Sequence, residues 1–382
     1  MAFLNKGRSI AVVKEVSYGA DAPTFTDSDY IDYTTADIST DIEKIERTVM
    51  RNSMLKLESK LGQKTSSGSV AIEISGASAG IVNGHTFYKN GIGKEAAQAV
   101  TTTIATRTSA TAFTVTSATG LSVGQVLKVE IASASEYTTI ATLSGTSVTV
   151  FPALSGTPVA LDDVQGLLTY TLPKPNDTVT SLAIRENLKP QSGSNVDYDY
   201  LGVMVSDVSL DFPVANIATA SFSVAGASFT SDATGTTPTL PCTLATPVIG
   251  KNAILSVMGT SYAAQDVSIK IASEVTDTNA ITTDGLSNKT AVGKTVTGSF
   301  KVQYSGVTNF DTFKDGTLGA LKLLLRDGGK TSPIIAGVFA PSIKFTSVSR
   351  SDDGGILYDS IEFEVLSPDC GTTERALSVF FA

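Results

Sequence analysis

The sequence predicts an all-β chain with minor α content: a duplicated β-sandwich or β-barrel domain with a flanking helix, plus a small β-domain inserted in the first copy. Three observations carry that expectation. Apolar residues recur at every second position in several runs, the spacing of a half-buried strand. Charged residues make up only 17% of the chain while glycine is plentiful at 32 residues, a composition that suits strands joined by many turns. One thirteen-residue stretch also occurs twice: "KTSSGSVAIEISG" (Lys64 to Gly76) and "KTVTGSFKVQYSG" (Lys294 to Gly306) share six identical positions.

In the first copy of that stretch Val70, Ile72 and Ile74 alternate with small polar residues, and in the second Phe300, Val302 and Tyr304 do the same. Each therefore predicts a strand with one face in a core. If one element is used twice, others should pair as well. "GVMVSDVSLDF" (Gly202 to Phe212) is matched by "GVFAPSIKFTS" (Gly337 to Ser347), which sets Val208 and Leu210 against Ile343 and Phe345. "ASFSVAG" (Ala220 to Gly226) is matched by "IEFEVLS" (Ile361 to Ser367), with Phe222 and Val224 against Phe363 and Val365. Three matches in the same order predict a duplicated domain.

The spacing differs between the copies. Gly76 and Gly202 are 126 residues apart and Gly306 and Gly337 only 31, so the first copy carries an additional piece of 95 residues. Within it, short β-runs at 112–116, 126–131, 137–143 and 147–151 are separated by Gly120, Gly124, Gly145 and Gly156. An insert present in one copy only is expected to lie outside the surface both copies share. A helix is expected within Val307 to Gly329, with Leu318, Leu321 and Leu325 on one face, and a shorter counterpart within His85 to Val100. The expected boundaries are 1–100 with 165–230 for the first domain, 101–164 for the insert, 231–244 for a linker and 245–382 for the second domain. The linker is expected from "SFTSDATGTTPTLP" (Ser228 to Pro241), which lacks periodicity.

Composition also excludes functions. A net charge of -9 and a pI near 4.8 argue against affinity for nucleic acid. Cys242 and Cys370 lie far apart without metal or redox spacing and are expected to be ordinary thiols of a reducing cytoplasm. The apolar run Ile10 to Val13 is too short for a secretion signal, so a soluble chain without a membrane span is expected. The single histidine, His85, is expected at a turn or helix start, and zinc or Cys/His chemistry fails by count. Gly293-Lys294-Thr295 has the ending of a phosphate loop, but Asn288 stands where the first glycine should, and a strand pattern follows instead of a helix. Asp352-Asp353-Gly354-Gly355 is expected as a hairpin tip rather than a calcium site. Neither an enzymatic activity nor a cofactor or metal is expected.

Four stretches together resemble the tail tube (major tail) proteins of long-tailed, non-contractile bacteriophages. "KEVSYGADAPTFTDSDYI" (Lys14 to Ile31) is similar to their N-terminal segment, and "DISTDIEKIERTVMRNSMLKLESKLGQKTSSGSVAIEI" (Asp37 to Ile74) to their long hairpin and first tube strand. "DVSLDFPVANIATASFSVAG" (Asp207 to Gly226) resembles their closing strand pair, and "TAFTVTSATGLSVGQVLKV" a decoration found within some of them. The resemblance implies a virion structural protein that polymerises into stacked rings and forms the conduit for DNA ejection. Six tube domains line a ring in that family, so a duplicated chain implies a trimeric, pseudo-hexameric ring, with a hexamer as the fallback. The implied partners are further copies of the chain, a tape measure protein, and tail terminator and tip proteins. Genomic duplex DNA would pass without specific binding; no membrane is involved. Assembly in the host cytoplasm and a place in the virion tail follow from the same resemblance.

Two sets of residues would serve that role. Glu73, Asp207, Asp211, Glu362 and Glu364 occupy the outward positions of the expected inner strands and form a candidate acidic lumen lining, with Lys301 and Lys344 as counterexamples. Arg47, Arg51, Met54, Lys56, Glu58 and Lys60 lie in a segment of mixed charge and form a candidate ring-stacking arm; an amphipathic element of the domain itself is the alternative. The rival from another class is a virion surface, decoration or fibre binding module with the insert as its tip.

Overall fold

The computed structural model describes the chain except residues 1–2, 20–23, 49–57, 78–80, 100, 132–133, 175–176, 178, 215, 236, 239–245, 280–285, 327–328, 330–331 and 368–375. Strands dominate. The first half contains β1 (Phe3–Lys14), β2 (Tyr30–Ile31), β3 (Thr35–Ile45), β4 (Lys60–Glu73), helix α1 (His85–Gly91) and β5 (Lys94–Ala96). Six short strands follow: β6 (Thr102–Arg107), β7 (Ala112–Val115), β8 (Val126–Ile131), β9 (Ala134–Ser144), β10 (Ser147–Phe151) and β11 (Asp163–Gly166). The first half then ends with β12 (Leu168–Thr171), β13 (Leu182–Pro190), β14 (Asn195–Pro213), β15 (Thr219–Gly226) and β16 (Ser228–Gly235). The second contains β17 (Ile254–Val257), β18 (Thr260–Tyr262), β19 (Ala264–Asn279), β20 (Leu286–Gln303), helix α2 (Thr308–Lys314), β21 (Leu318–Arg326), β22 (Ile334–Asp353), β23 (Ile356–Val365) and β24 (Ser378–Phe381).

Eight strands form one antiparallel run in the order β3, β4, β15, β14, β19, β20, β23, β22. The first four belong to the first half and the last four to the second, and both sets have the same internal order. Gly68 and Gly298, identical in the repeated stretch, occupy equivalent places: Gly68 faces Ile38 and Val224, and Gly298 faces Ile269 and Phe363. A Cβ at Gly68 would stand 2.0 Å from the Asp37 carbonyl oxygen, and one at Gly298 2.3 Å from the Phe363 ring. Close packing thus explains why both copies keep glycine there.

The long strands β14 and β22 each leave this sheet and continue into a second one. There β14 pairs with β13 and β16, and β22 with β21 and β24. Side chains of the two layers meet in one core that includes Val70, Phe222, Leu210, Ile269, Phe300 and Phe363. Strands β6 to β11 close a separate six-stranded barrel around Phe113, Leu127, Ile140 and Val164. The barrel docks on the outer sheet of the second half, where Val126, Tyr137 and Leu167 pack on Leu324, Phe339 and Phe380. That is the face of the outer sheet turned away from the core, because the alternate residues Leu323 and Val338 point into it. The barrel and the eight-stranded sheet therefore lie on opposite sides of the second half.

The structure differs from the sequence reading in four places. The leucines expected on a helix lie on a strand: α2 stops at Lys314, and Leu318–Arg326 is β21. Leu321, Leu323 and Leu325 enter the core at every second position while Lys322 and Leu324 face the barrel, so Leu324 blurs the alternation and leaves Leu318, Leu321 and Leu325 at a spacing that also fits a helix. Residues 228–235, expected to open the linker, form β16 and pair with β14. The barrel is completed by β6 and β11, which the four short runs do not include. Finally, Val224 rather than Phe222 is the equivalent of Phe363, and Val208 is the equivalent of Val348 rather than Ile343. The bulge after Val205 recurs at the equivalent place after Phe345 and leaves the offset between the copies unchanged. The slip arises because the shared Gly-Val dipeptides at Gly202 and Gly337 are not equivalent, and because a shift by two along β15 keeps an alternation that a period of two cannot resolve.

Candidate functional site: a polar face with two open edges

Directly opposed residues in neighbouring antiparallel strands project to the same face, so the pairing register places each side chain. Glu73, Thr219, Asp211, Ser268, Ser299, Glu362 and Ser347 follow one another across seven strands. The next row is Thr35, Ala71, Ser221, Ser209, Lys270, Thr297, Glu364 and Lys344. Asp207 stands in the third row with Asp37, Ser69, Ser223, Ala272 and Thr295. All five acidic residues singled out in the sequence therefore share one face of the sheet, opposite the core. Most of their neighbours on that face carry hydroxyls. Lys270 lies 3.5 Å from Asp207, and Lys301 lies 3.2 Å from Asp353, so each of these cations has a carboxylate beside it.

The seam between the halves is continuous. Strand β14 pairs with β19 from Asp207 opposite Ala272 to Pro213 opposite Asp266. Towards the core it joins Val208 to Ile271, Leu210 to Ile269 and Phe212 to Val267, all buried. On the polar face the Ser268 hydroxyl donates to Asp211 Oδ1 at 2.6 Å, and the Ser209 hydroxyl donates to Asp211 Oδ2 at 3.0 Å.

The two ends of the run are open. Among the described residues β3 pairs only with β4, and the segment Ser347–Asp353 of β22 pairs only with β23. Facing the core at the β22 end is a polar network. The Arg350 guanidinium lies over the Tyr304 ring at 4.0 Å and 3.3 Å from Asp359, which is 1% exposed. Asn309 donates to Asp359 at 3.1 Å, and the Tyr262 hydroxyl donates to Asn309 at 3.0 Å.

Two hairpins extend beyond the eight-stranded run. One joins β3 to β4, with Ile45 opposite Lys60 as its outermost described pair. Of the arm residues, Arg47 and Glu58 are exposed and Lys60 opens β4, whereas Arg51, Met54 and Lys56 lie outside the described residues. The other joins β19 to β20 beyond Ala272 and was not anticipated. Its Lys294, the equivalent of Lys64 at the head of the repeat, is half-buried and donates to the carbonyl oxygen of Gly91 at the end of α1. Burial lowers its pKa from 10.5 to about 8. The repeat itself was the signal for this second arm.

His85 opens α1; its Nδ1 lies 2.6 Å from the Tyr170 hydroxyl and its Nε2 3.5 Å from Glu95, and burial lowers its pKa. Lys294 and Thr295 lie within β20, not in a phosphate loop, and Gly354-Gly355 turns β22 into β23 with both glycines at positive φ. Among the described residues no group of three metal-ligating side chains is brought together, and no helix is long and apolar enough to cross a membrane.

The architecture is thus that of a two-layered β-sandwich with a long sheet, one face of which carries hydroxyls and carboxylates. The family model described as phage tail tube protein matches residues 6–365, and the chain belongs to that family. It is a structural component of a phage tail tube. No curated protein matches the sequence.

Proposed function

We propose that three copies close into a ring whose inner wall is the eight-stranded sheet, and that stacked rings form the tube through which genomic DNA leaves a long, non-contractile tail. The observation that carries this reading is the seam between β14 and β19. It joins two four-stranded units of the same order edge to edge, and each outermost strand has an edge that no described residue pairs. Pairing those edges between copies extends the sheet and removes the liability that an open edge presents. Three chains supply about 24 strands, more than the roughly 16 to 18 that already enclose an aqueous channel. Both halves contribute to one sheet, which favours three chains over a hexamer that turns one half outward.

In this ring the face bearing Glu73, Asp207, Asp211, Glu362 and Glu364 lines the lumen. Carboxylates repel the phosphate backbone, the Lys270 and Lys301 charges are offset by neighbouring acids, and Lys344 stands opposite Glu364 in the sheet, so DNA gains few counterion-releasing contacts that would hold it. The barrel lies on the exterior, and the β3–β4 hairpin with Arg47, Glu58 and Lys60 reaches the next ring. Assembly takes place in the host cytoplasm around a tape measure protein, with terminator and tip proteins at the ends.

Negative-stain electron microscopy of the full chain at increasing concentration tests the reading. Rings or tubes with threefold or pseudo-sixfold end views are expected. A particle that stays monomeric at every concentration, or fibres without a lumen, would overturn the three-chain ring with the eight-stranded sheet as its inner wall.

A further inference from the structure

The repeat within the chain contains more than an order of strands: it fixes a register. The equivalences set by Gly68 with Gly298 and by the bulges after Val205 and Phe345 map β14 onto the end of β22, and β3 onto β19. We propose, resting on the ring reading above, that the seam between copies repeats the seam within the chain residue for residue. Ser347–Asp353 of one copy then pairs antiparallel with Thr35–Asp41 of the next. Asp211 opposite Ser268 becomes Ser351 opposite Asp37, and Leu210 opposite Ile269 becomes Arg350 opposite Ile38.

Charge complementarity supports this register. In the internal seam a serine hydroxyl donates to the Asp211 carboxylate at 2.6 Å. In the proposed seam the same hydroxyl–carboxylate pair recurs with its partners exchanged between strands, Ser351 donating to Asp37. A slip by two residues in one direction sets Asp37 against Asp353, two carboxylates opposed, which is unfavourable. The hairpins agree as well. Lys294 reaches from the second half to the end of α1, within "YKNG" (Tyr88 to Gly91); Lys64 would reach the end of α2, within "FKDG" (Phe313 to Gly316), in the next copy. Asp311 and Asp315 outnumber Lys314, which lies beside both, and leave a net negative charge at that end.

The test is cysteine cross-linking of the assembled full chain in a Cys242→Ser/Cys370→Ser background. Asp37→Cys with Ser351→Cys is expected to give covalent multimers on oxidation, the ladder ending at three chains. Asp37→Cys with Ser349→Cys is expected to cross-link at least tenfold more slowly. Preferential linkage of the Ser349 pair, or of neither pair in tubes visible by microscopy, overturns the register while the tube reading stands. If the unsubstituted chain never forms rings, the tube reading itself fails. A second pair of variants covers the case in which the cysteines block assembly. Ser351→Asp alone opposes two carboxylates and should raise the concentration needed for assembly at least tenfold. Adding Asp37→Ser recreates the Asp211–Ser268 pairing and should restore it, and failure of that rescue overturns the register too.

Discussion

The seam inside the chain and the two edges left open are made of equivalent strands, yet they are finished in opposite ways. The internal seam buries Val208, Leu210 and Phe212 against Ile271, Ile269 and Val267. At the corresponding places the open edges carry Val348, Arg350 and Asp352 on one strand and Thr40, Ile38 and Ala36 on the other. A charge pointing inward from an edge strand keeps it from pairing indiscriminately. The difference shows how one sheet can be both permanent and assembled: apolar pairs make the joint that never opens, and a guarded polar edge is left where pairing must wait for the right partner.

The largest expected effect breaks the permanent side of the comparison. Leu210→Ala removes buried methyl groups from the seam and should cost about 2–5 kcal/mol in urea unfolding of the full chain. Ser349→Ala, on the open edge, should stay within about 0.5 kcal/mol. Similar losses at the two sites would mean that the seam is no better packed than the edge.

Lys294 gives the next effect, in the arm that holds the halves together. Burial lowers its folded pKa to about 8, below its unfolded value of 10.5. Below about pH 8 both states are charged and the folded state bears the cost of burying the ammonium. Between pH 8 and 10.5 the folded lysine is neutral while the unfolded one is still protonated, so this group's contribution to stability rises with pH. Buried tyrosines also titrate at high pH, so the quantity to measure is the unfolding free energy of the chain minus that of Lys294→Met. That difference should rise with pH across the window, by at most about 1.4 kcal/mol per unit. A flat difference would show that Lys294 is solvated rather than inserted against α1.

The parts of this comparison that the sequence disclosed are those with an alternating pattern and one polar face. The repeat at Lys64 and Lys294, the core positions Val70 and Phe300, and the outward carboxylates all follow from a period of two. The seam did not, because nothing local to β14 says which strand will lie on its second edge; that pairing depends on contacts between residues about 60 positions apart. The bulge after Val205 recurs after Phe345 and keeps the copies in step; the match with Ile343 slipped because the Gly-Val dipeptides at Gly202 and Gly337 are not equivalent, and the match with Val365 because a shift by two keeps the alternation. β21 was hidden for a different reason: its second face is covered by the barrel, and only tertiary packing distinguishes such a leucine run from a helix.

The smallest effect sharpens the comparison by turning the open edge into a copy of the closed one. In the equivalence above Arg350 stands for Leu210 and Asp359 for Ala220. The double variant Arg350→Leu/Asp359→Ala removes the half-exposed Arg350 charge together with the buried carboxylate it balances, so Asp359 is not left buried without its cation. A leucine facing Ile38 of the next copy adds apolar burial to the proposed seam. The concentration needed for ring formation should fall about tenfold, equivalent to about 1.4 kcal/mol. Asn309 loses a partner in the same variant, so the folded fraction must be followed by circular dichroism and assembly compared at equal folded protein. Easier assembly of the folded variant would identify Arg350 as the guard of the edge. Unchanged assembly would mean that the edge is limited by its backbone pairing and the polar-face residues, and that the Arg350–Asp359 pair serves only the core of the second half.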